Sequence, residues 1–189
     1  MVVGLALLVF ADFSRSNAIA QSIEQKAQIC AACHGAEGVP AAQAYPVPVI
    51  WGQNLGYLFF QLRDFKSGAR KDDSMSAVAE TLDPNDLMPL AQYFAKKAWP
   101  NFQQKPAAAE ISIVAQRISA SAACAACHQQ GFMGDNAQPR LAGQVHEYLK
   151  KTMADFRSGS RANNAGMIST MKTMADHEIA ALAGWLAGM

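Results

Sequence analysis

The chain has 189 residues, room for one ordinary domain or two small ones, and 51% of them are hydrophobic, enough to build a core. Its formal net charge is +1, and the halves on either side of Lys105 are balanced, so no basic face for nucleic acid is expected. Much of the apolar share is alanine, which favours helix.

The chain opens on a short apolar run from Val2 to Ala11, followed by Ala18-Ile19-Ala20, an A-x-A cleavage site. This pattern predicts an export signal over 1–20, with the mature protein beginning near Gln21. The run is too short to span a bilayer. No Lys or Arg precedes it, which leaves a retained weak membrane anchor as the alternative. A helix is predicted from about Ser22 into Cys30-Ala31-Ala32-Cys33-His34. After a loop carrying Pro48-Val49-Ile50-Trp51-Gly52-Gln53, the residues Leu55, Leu58, Phe59, Leu62 and Phe65 fall at helical spacing. Gly68 stands where a helix C-terminal glycine belongs. Asp83-Pro84 opens a closing helix, a capping residue followed by proline at the first helical position. Pro89 lies inside it, and a bend is expected there. The prolines at 100 and 106 bracket a linker.

Beyond the linker the chain repeats itself. Cys124-Ala125-Ala126-Cys127-His128 copies the first pentapeptide letter for letter at an offset of 94. Pro139 to Gln144 match Pro48 to Gln53, Tyr148-Leu149 match Tyr57-Leu58, and Phe156 to Arg161 match Phe65 to Arg70, all at an offset of 91. Ile179, Leu182, Ala183 and Leu186, in a helix begun at Asp176, match Leu87, Leu90, Ala91 and Phe94 at an offset of 92, and this stripe is expected to pack across the first helix of its half. Length changes confined to loops mark an internal duplication. The expectation is an all-α fold with two tandem domains, over 21–99 and 107–189, joined by the linker 100–106, and no strand.

C-x-x-C-H is the attachment signature of a c-type haem: both thiols form thioethers with the haem vinyl groups, and the adjacent histidine binds the iron. Two copies predict two covalently bound haem c groups, held by Cys30 and Cys33 with His34 and by Cys124 and Cys127 with His128. All four cysteines are thereby used, so neither a disulfide nor a zinc or iron–sulfur site is expected. Haem attachment of this kind follows export, in agreement with the leader. The first half has no histidine besides His34, so methionine is the natural sixth ligand there, its soft thioether favouring ferrous iron. Met75 aligns with Met167, whereas Met88 aligns with Ala180, Met171 with Ala79 and Met174 with Leu82. Met75 and Met167 follow their histidines by 41 and 39 residues, so these two are the expected axial ligands. His146 and His177 read as a helix rim and an exposed residue.

Pro48 and Pro139 can offer carbonyls to the outer ring nitrogens of the two histidines, or simply stiffen their loops. Tyr57 and Tyr148, with Trp51, are expected along the haem pockets. Arg70 and Arg161 precede the methionines as matched cations, either paired with propionates or solvated.

Paired C-x-x-C-H motifs, each followed by P-x-x-x-G-Q, Y-L, F-x-S-G-x-R and a methionine, resemble the dihaem class I c-type cytochromes of the cytochrome c4 family. The resemblance runs from about Ser22 to Leu186 and is closer in the second half; Pro48-Val49-Ile50-Trp51-Gly52 departs from a more usual leucine-glycine ending. It implies two cytochrome c folds related by a pseudo-twofold axis, haem edges facing across the interface with propionates close together, and proline carbonyls behind the histidines. It also implies a periplasmic protein, often loosely membrane-associated, that passes electrons toward a terminal oxidase. The expected function is therefore electron transfer between respiratory partners: a terminal oxidase, a quinol-oxidising complex or a dehydrogenase. The alternative is the cytochrome subunit of a periplasmic dehydrogenase oxidising an alcohol, sulfide or thiosulfate. A dihaem peroxidase would need an openable sixth site, which two matched methionines argue against.

Overall fold

The computed structural model describes residues 23–40, 46–101 and 104–189, and the predicted export signal lies outside them. Among the described residues the regular elements are helices joined by loops, with one isolated bridge between Asp135 and Gln138. In the first half α1 covers 23–34 and carries Cys30, Cys33 and His34 on its last turns. It is followed by α2 (Leu55–Ser67), α3 (Asp73–Thr81) and α4 (Leu87–Ala95). The second half contains α5 (Ala109–Ser121), α6 (Cys124–His128), α7 (His146–Ser158), α8 (Ala165–Met171) and α9 (Asp176–Ala187).

The F-x-S-G-x-R segments end α2 and α7 in the same way. Gly68 (φ 76°) and Gly159 (φ 81°) take the left-handed turn, their N–H groups reaching back to the Phe65 and Phe156 carbonyls. The turn brings Arg70 over the Phe65 ring and Arg161 over the Phe156 ring, each 4.4 Å from its centroid.

Three details differ from the sequence pattern. First, α3 and α8 were not legible: both are short, nine and seven residues, and each is started by a capping side chain. Asp72 accepts from the Ser74 and Met75 N–H groups, and Asn164 from Met167 N–H. Second, no mid-helix bend is needed at Pro89. A 3-10 turn over Pro84–Asp86, capped by Asp83, precedes α4, so Pro89 is the third residue of that helix, where an N–H has no intrahelical partner anyway. Third, the helix through the second C-x-x-C-H is broken. Ala123 adopts φ 51° between α5 and α6, whereas α1 runs unbroken to His34.

Each half has its own apolar core. Ile23 and Ala27 of α1 meet Leu58 of α2 and Leu90, Ala91 and Phe94 of α4. In the second half Ala115 of α5, Leu149, Met153 and Phe156 of α7 and the predicted α9 stripe form one cluster, with α9 packed on both α5 and α7. Leu90 and Ile179 are 1% and 2% exposed, and burying each contributes about 1.5–3 kcal/mol relative to exposure.

The halves meet through hydrogen bonds that come in reciprocal pairs. Gln53 brackets Arg140, accepting from its N–H at 2.8 Å and donating to its carbonyl at 2.9 Å. Gln144 does the same to Val49, at 2.8 and 2.9 Å. The Tyr57 N–H, in the first turn of α2, donates to the Asn136 carbonyl at 2.8 Å. Gly56 permits this approach, because a Cβ there would lie only 3.0 Å from the Asn136 backbone.

Candidate haem sites and the junction between them

The two cysteines of each motif lie on one helix, none of the four is in a disulfide, and Cys33 and Cys127 are exposed. His34 and His128 point inward and are 6% and 7% exposed. Their Nδ1 atoms donate to the Pro48 carbonyl at 2.8 Å and the Pro139 carbonyl at 3.1 Å, which leaves Nε2 as the nitrogen that can meet a metal. Burial lowers the pKa of both rings and outweighs the opposing pull of the carbonyls, so both are held in the neutral, metal-binding form.

Met75 and Met167 occupy the same place in their halves. Each is the third residue of a short helix, each is half-buried, and each has its N–H held by the capping side chain, at 3.1 Å from Asp72 and 2.9 Å from Asn164. The other methionines differ. Met153, Met171 and Met174 are core residues of the second half, and Met88 and Met133 are 39% and 46% exposed. His146 is the first residue of α7, beside Glu147, and His177 is exposed.

Arg70 and Arg161 are buried, at 9% and 5% exposure. With Tyr57 and Tyr148 they form a crossed cluster at the junction. Arg70 Nη2 donates to the Tyr148 hydroxyl at 3.2 Å, Arg161 Nη2 to the Tyr57 hydroxyl at 3.3 Å, and the two hydroxyls lie 3.4 Å apart. Each arginine thus serves the tyrosine of the other half. Gln61 joins them: its Oε1 accepts from Arg70 Nη1 at 2.8 Å, Arg161 Nη2 at 2.8 Å and Asn163 Nδ2 at 3.1 Å. Asn163 also donates to the buried carboxylate of Asp64 at 2.8 Å. Burial pushes the Tyr57 phenol up. Burial also resists ionisation of Tyr148, but the guanidiniums of Arg70 and Arg161 outweigh it and pull that phenol down to about 7.

The residues fit a haem in each half. Arg161 Nη1 is buried without a partner at the junction, and Trp51 Nε1 is buried without a partner beside the first histidine's loop. Such orphans are rare in a finished interior, and a group carrying anionic oxygens satisfies a buried guanidinium. Among the described residues no three His, Cys, Asp or Glu gather to hold a bare ion. Among the cluster residues Gln61 carried no sequence signal, since it stands opposite Thr152 in the repeat, whereas Asp64 is matched by Asp155. Gln53 and Gln144 did carry one: a matched glutamine closing each P-x-x-x-G-Q segment.

The family model described as "Cytochrome c" matches residues 115–189. That half and its internal repeat in the first half, each with a haem-attachment helix and an oriented histidine, define a dihaem c-type cytochrome, an electron carrier rather than an enzyme. Cytochrome c4 of Azotobacter vinelandii is 32% identical over 182 residues, covering 87% of this chain and 86% of that protein. The crystal structure of reduced recombinant cytochrome c4 from Pseudomonas stutzeri superposes with a TM-score of 0.79 at 26% identity, over 90% of this chain and 98% of that one. The chain belongs to the cytochrome c4 family. A protein named thiosulfate dehydrogenase electron acceptor, from Stutzerimonas stutzeri, is also similar, with 32% identity over 86% of this chain and 80% of that protein.

Proposed function

We propose that this dihaem cytochrome works in the periplasm as a carrier between a respiratory donor and a terminal oxidase, with His34 and Met75 as axial ligands in the domain over 21–99 and His128 and Met167 in the domain over 107–189. The observation that carries the reading is the matched ligand geometry: each half holds an oriented, neutral histidine and a half-buried methionine at the same position of a capped helix. Bound haem supplies an iron that takes up and releases one electron. His34 with Met75, and His128 with Met167, would hold the two irons from this chain's own residues, leaving no place for an outside ligand. Arg70 and Arg161 provide buried positive charge at the junction, where propionate groups would sit. Pro48 and Pro139 fix the histidine rings from behind.

A second reading is favoured by the similarity to the thiosulfate dehydrogenase electron acceptor. In it the protein is the electron-accepting partner of a periplasmic dehydrogenase. Native gel electrophoresis of periplasmic and membrane fractions, with haem staining and mass spectrometry of the stained band, separates the two. A free two-haem species in the periplasmic fraction is expected for the carrier. Co-migration with a dehydrogenase would replace the carrier by the second reading, and absence from the periplasmic fraction would overturn the location.

A further inference from the structure

The glutamines that close the two P-x-x-x-G-Q segments serve the opposite halves. Both are buried, Gln53 at 2% and Gln144 at 3% exposure. Gln144 Oε1 accepts from Val49 N–H at 2.8 Å, and Gln53 Oε1 accepts from Arg140 N–H at 2.8 Å. The N–H of Val49 and the carbonyl of Pro48 are the two ends of one peptide unit, and so are the N–H of Arg140 and the carbonyl of Pro139. Those carbonyls are the ones that accept from Nδ1 of His34 and of His128. Each histidine therefore ends a relay that begins on a side-chain oxygen of the other half and passes through a single peptide group. The glutamine side chains are themselves fixed, since each Oε1 also accepts from the next residue's N–H, Asn54 and Val145, at 2.8 Å.

The direction of the effect follows from polarisation. A hydrogen bond accepted from the N–H end strengthens the carbonyl at the far end as an acceptor. A stronger acceptor on Nδ1–H makes the imidazole a more basic ligand. A more basic ligand favours ferric over ferrous iron and lowers the potential.

We propose that Gln53 and Gln144 are positioning residues that set, across the domain interface, the ligand strength of the histidine in the opposite half: Gln144 acts on His34 and Gln53 on His128. This rests on the reading of the two histidines as iron ligands. The test is a redox titration of the full-length holoprotein, with the haems told apart by the NMR contacts of each haem's methyl groups with the cysteines that hold it. Gln144→Leu is expected to raise the reduction equilibrium constant of the haem on Cys30 and Cys33 roughly two- to fivefold, from the modest strengthening one bond lends the next. At 59 mV per tenfold that is a positive shift of about 20–40 mV. Gln53→Leu is expected to do the same to the haem on Cys124 and Cys127. Gln144→Glu and Gln53→Glu retain the acceptor oxygen and should stay within about twofold of the starting value or move the other way. Where a leucine variant fails to take up haem, Gln144→Met or Gln53→Met keeps the length of the side chain without its acceptor and should show the same rise. A shift at the haem of the mutated half, equal shifts at both haems, or glutamate variants that rise as far as leucine would overturn the proposal. A low-spin, six-coordinate spectrum with no shift at either haem overturns it too and leaves the ligation reading intact. A high-spin spectrum in the unsubstituted protein overturns the ligation reading instead.

Discussion

Removing the Gln61 side-chain oxygen is expected to destabilise the holoprotein severely. That one atom accepts from Arg70 Nη1 and Arg161 Nη2, both at 2.8 Å, and from Asn163 Nδ2 at 3.1 Å. Hydrogen bonds from charged donors are each worth roughly 1.5–3 kcal/mol, and a neutral one roughly 0.5–1.5. Each guanidinium keeps a tyrosine hydroxyl as a second partner, so the low end applies and Gln61→Leu should cost about 3 kcal/mol. The substitution also removes the contact that ties the arginine of one half to the arginine of the other. Urea unfolding followed by far-UV circular dichroism reads the effect as a lower midpoint at unchanged slope. Thr152→Val, at the aligned position of the second half, receives no such donors and should cost less than about 0.5 kcal/mol. A loss below about 1 kcal/mol for Gln61→Leu would show instead that the tyrosine hydroxyls are enough to hold the two guanidiniums.

Three other outcomes follow from the geometry. Met75→Ala and Met167→Ala should each lower the potential of one haem and open it to added carbon monoxide, while Met171→Ala, in the core, should cost about 2–5 kcal/mol of stability and leave both potentials in place; ligand opening by Met171→Ala and not by Met167→Ala would reverse the assignment. Gln129, directly after His128, holds φ 62° and ψ 170°, a conformation that suits glycine, and the first half has Gly35 there; Gln129→Gly should raise thermal stability by about 1 kcal/mol, and a loss would contradict the strain argument. The Tyr148 phenol is pulled down to about 7 in the folded state and sits near 10 unfolded, so the unfolded chain binds the extra proton between those values. Stability from this group should rise with pH across that window and be absent below about 7. Tyr148→Phe should flatten the rise, and urea midpoints that fail to distinguish the variant from the parent at pH 7 and pH 10 would count against it.

The haem-attachment helices, the closing helices and the glycine turns were legible because each depends on local residues: a motif, an apolar stripe, a left-handed glycine. The methionine helices α3 and α8 were not, because Asp72 and Asn164 start them by capping and their nine and seven residues are too few to show a repeated stripe. The expected bend at Pro89 failed for a related reason: the 3-10 turn at Pro84 moved the start of α4, which left the proline in its first turn. Of the site, the duplicated positions could be read by aligning one half on the other. Tyr57, Tyr148, Arg70 and Arg161 were found that way, although the repeat could not show that each arginine crosses to the other half's tyrosine. Gln61 was invisible for the opposite reason, because it breaks the symmetry. Contacts between halves are relations among residues roughly 80–100 positions apart, and nothing in local periodicity encodes them.

The most direct test of the central claim is a spectroelectrochemical titration of the purified holoprotein under carbon monoxide. Two one-electron steps per chain are expected, with both irons low-spin and six-coordinate in both oxidation states and no carbon monoxide adduct on the reduced protein. A single electron per chain, or rapid and complete binding of carbon monoxide at one haem, would contradict it.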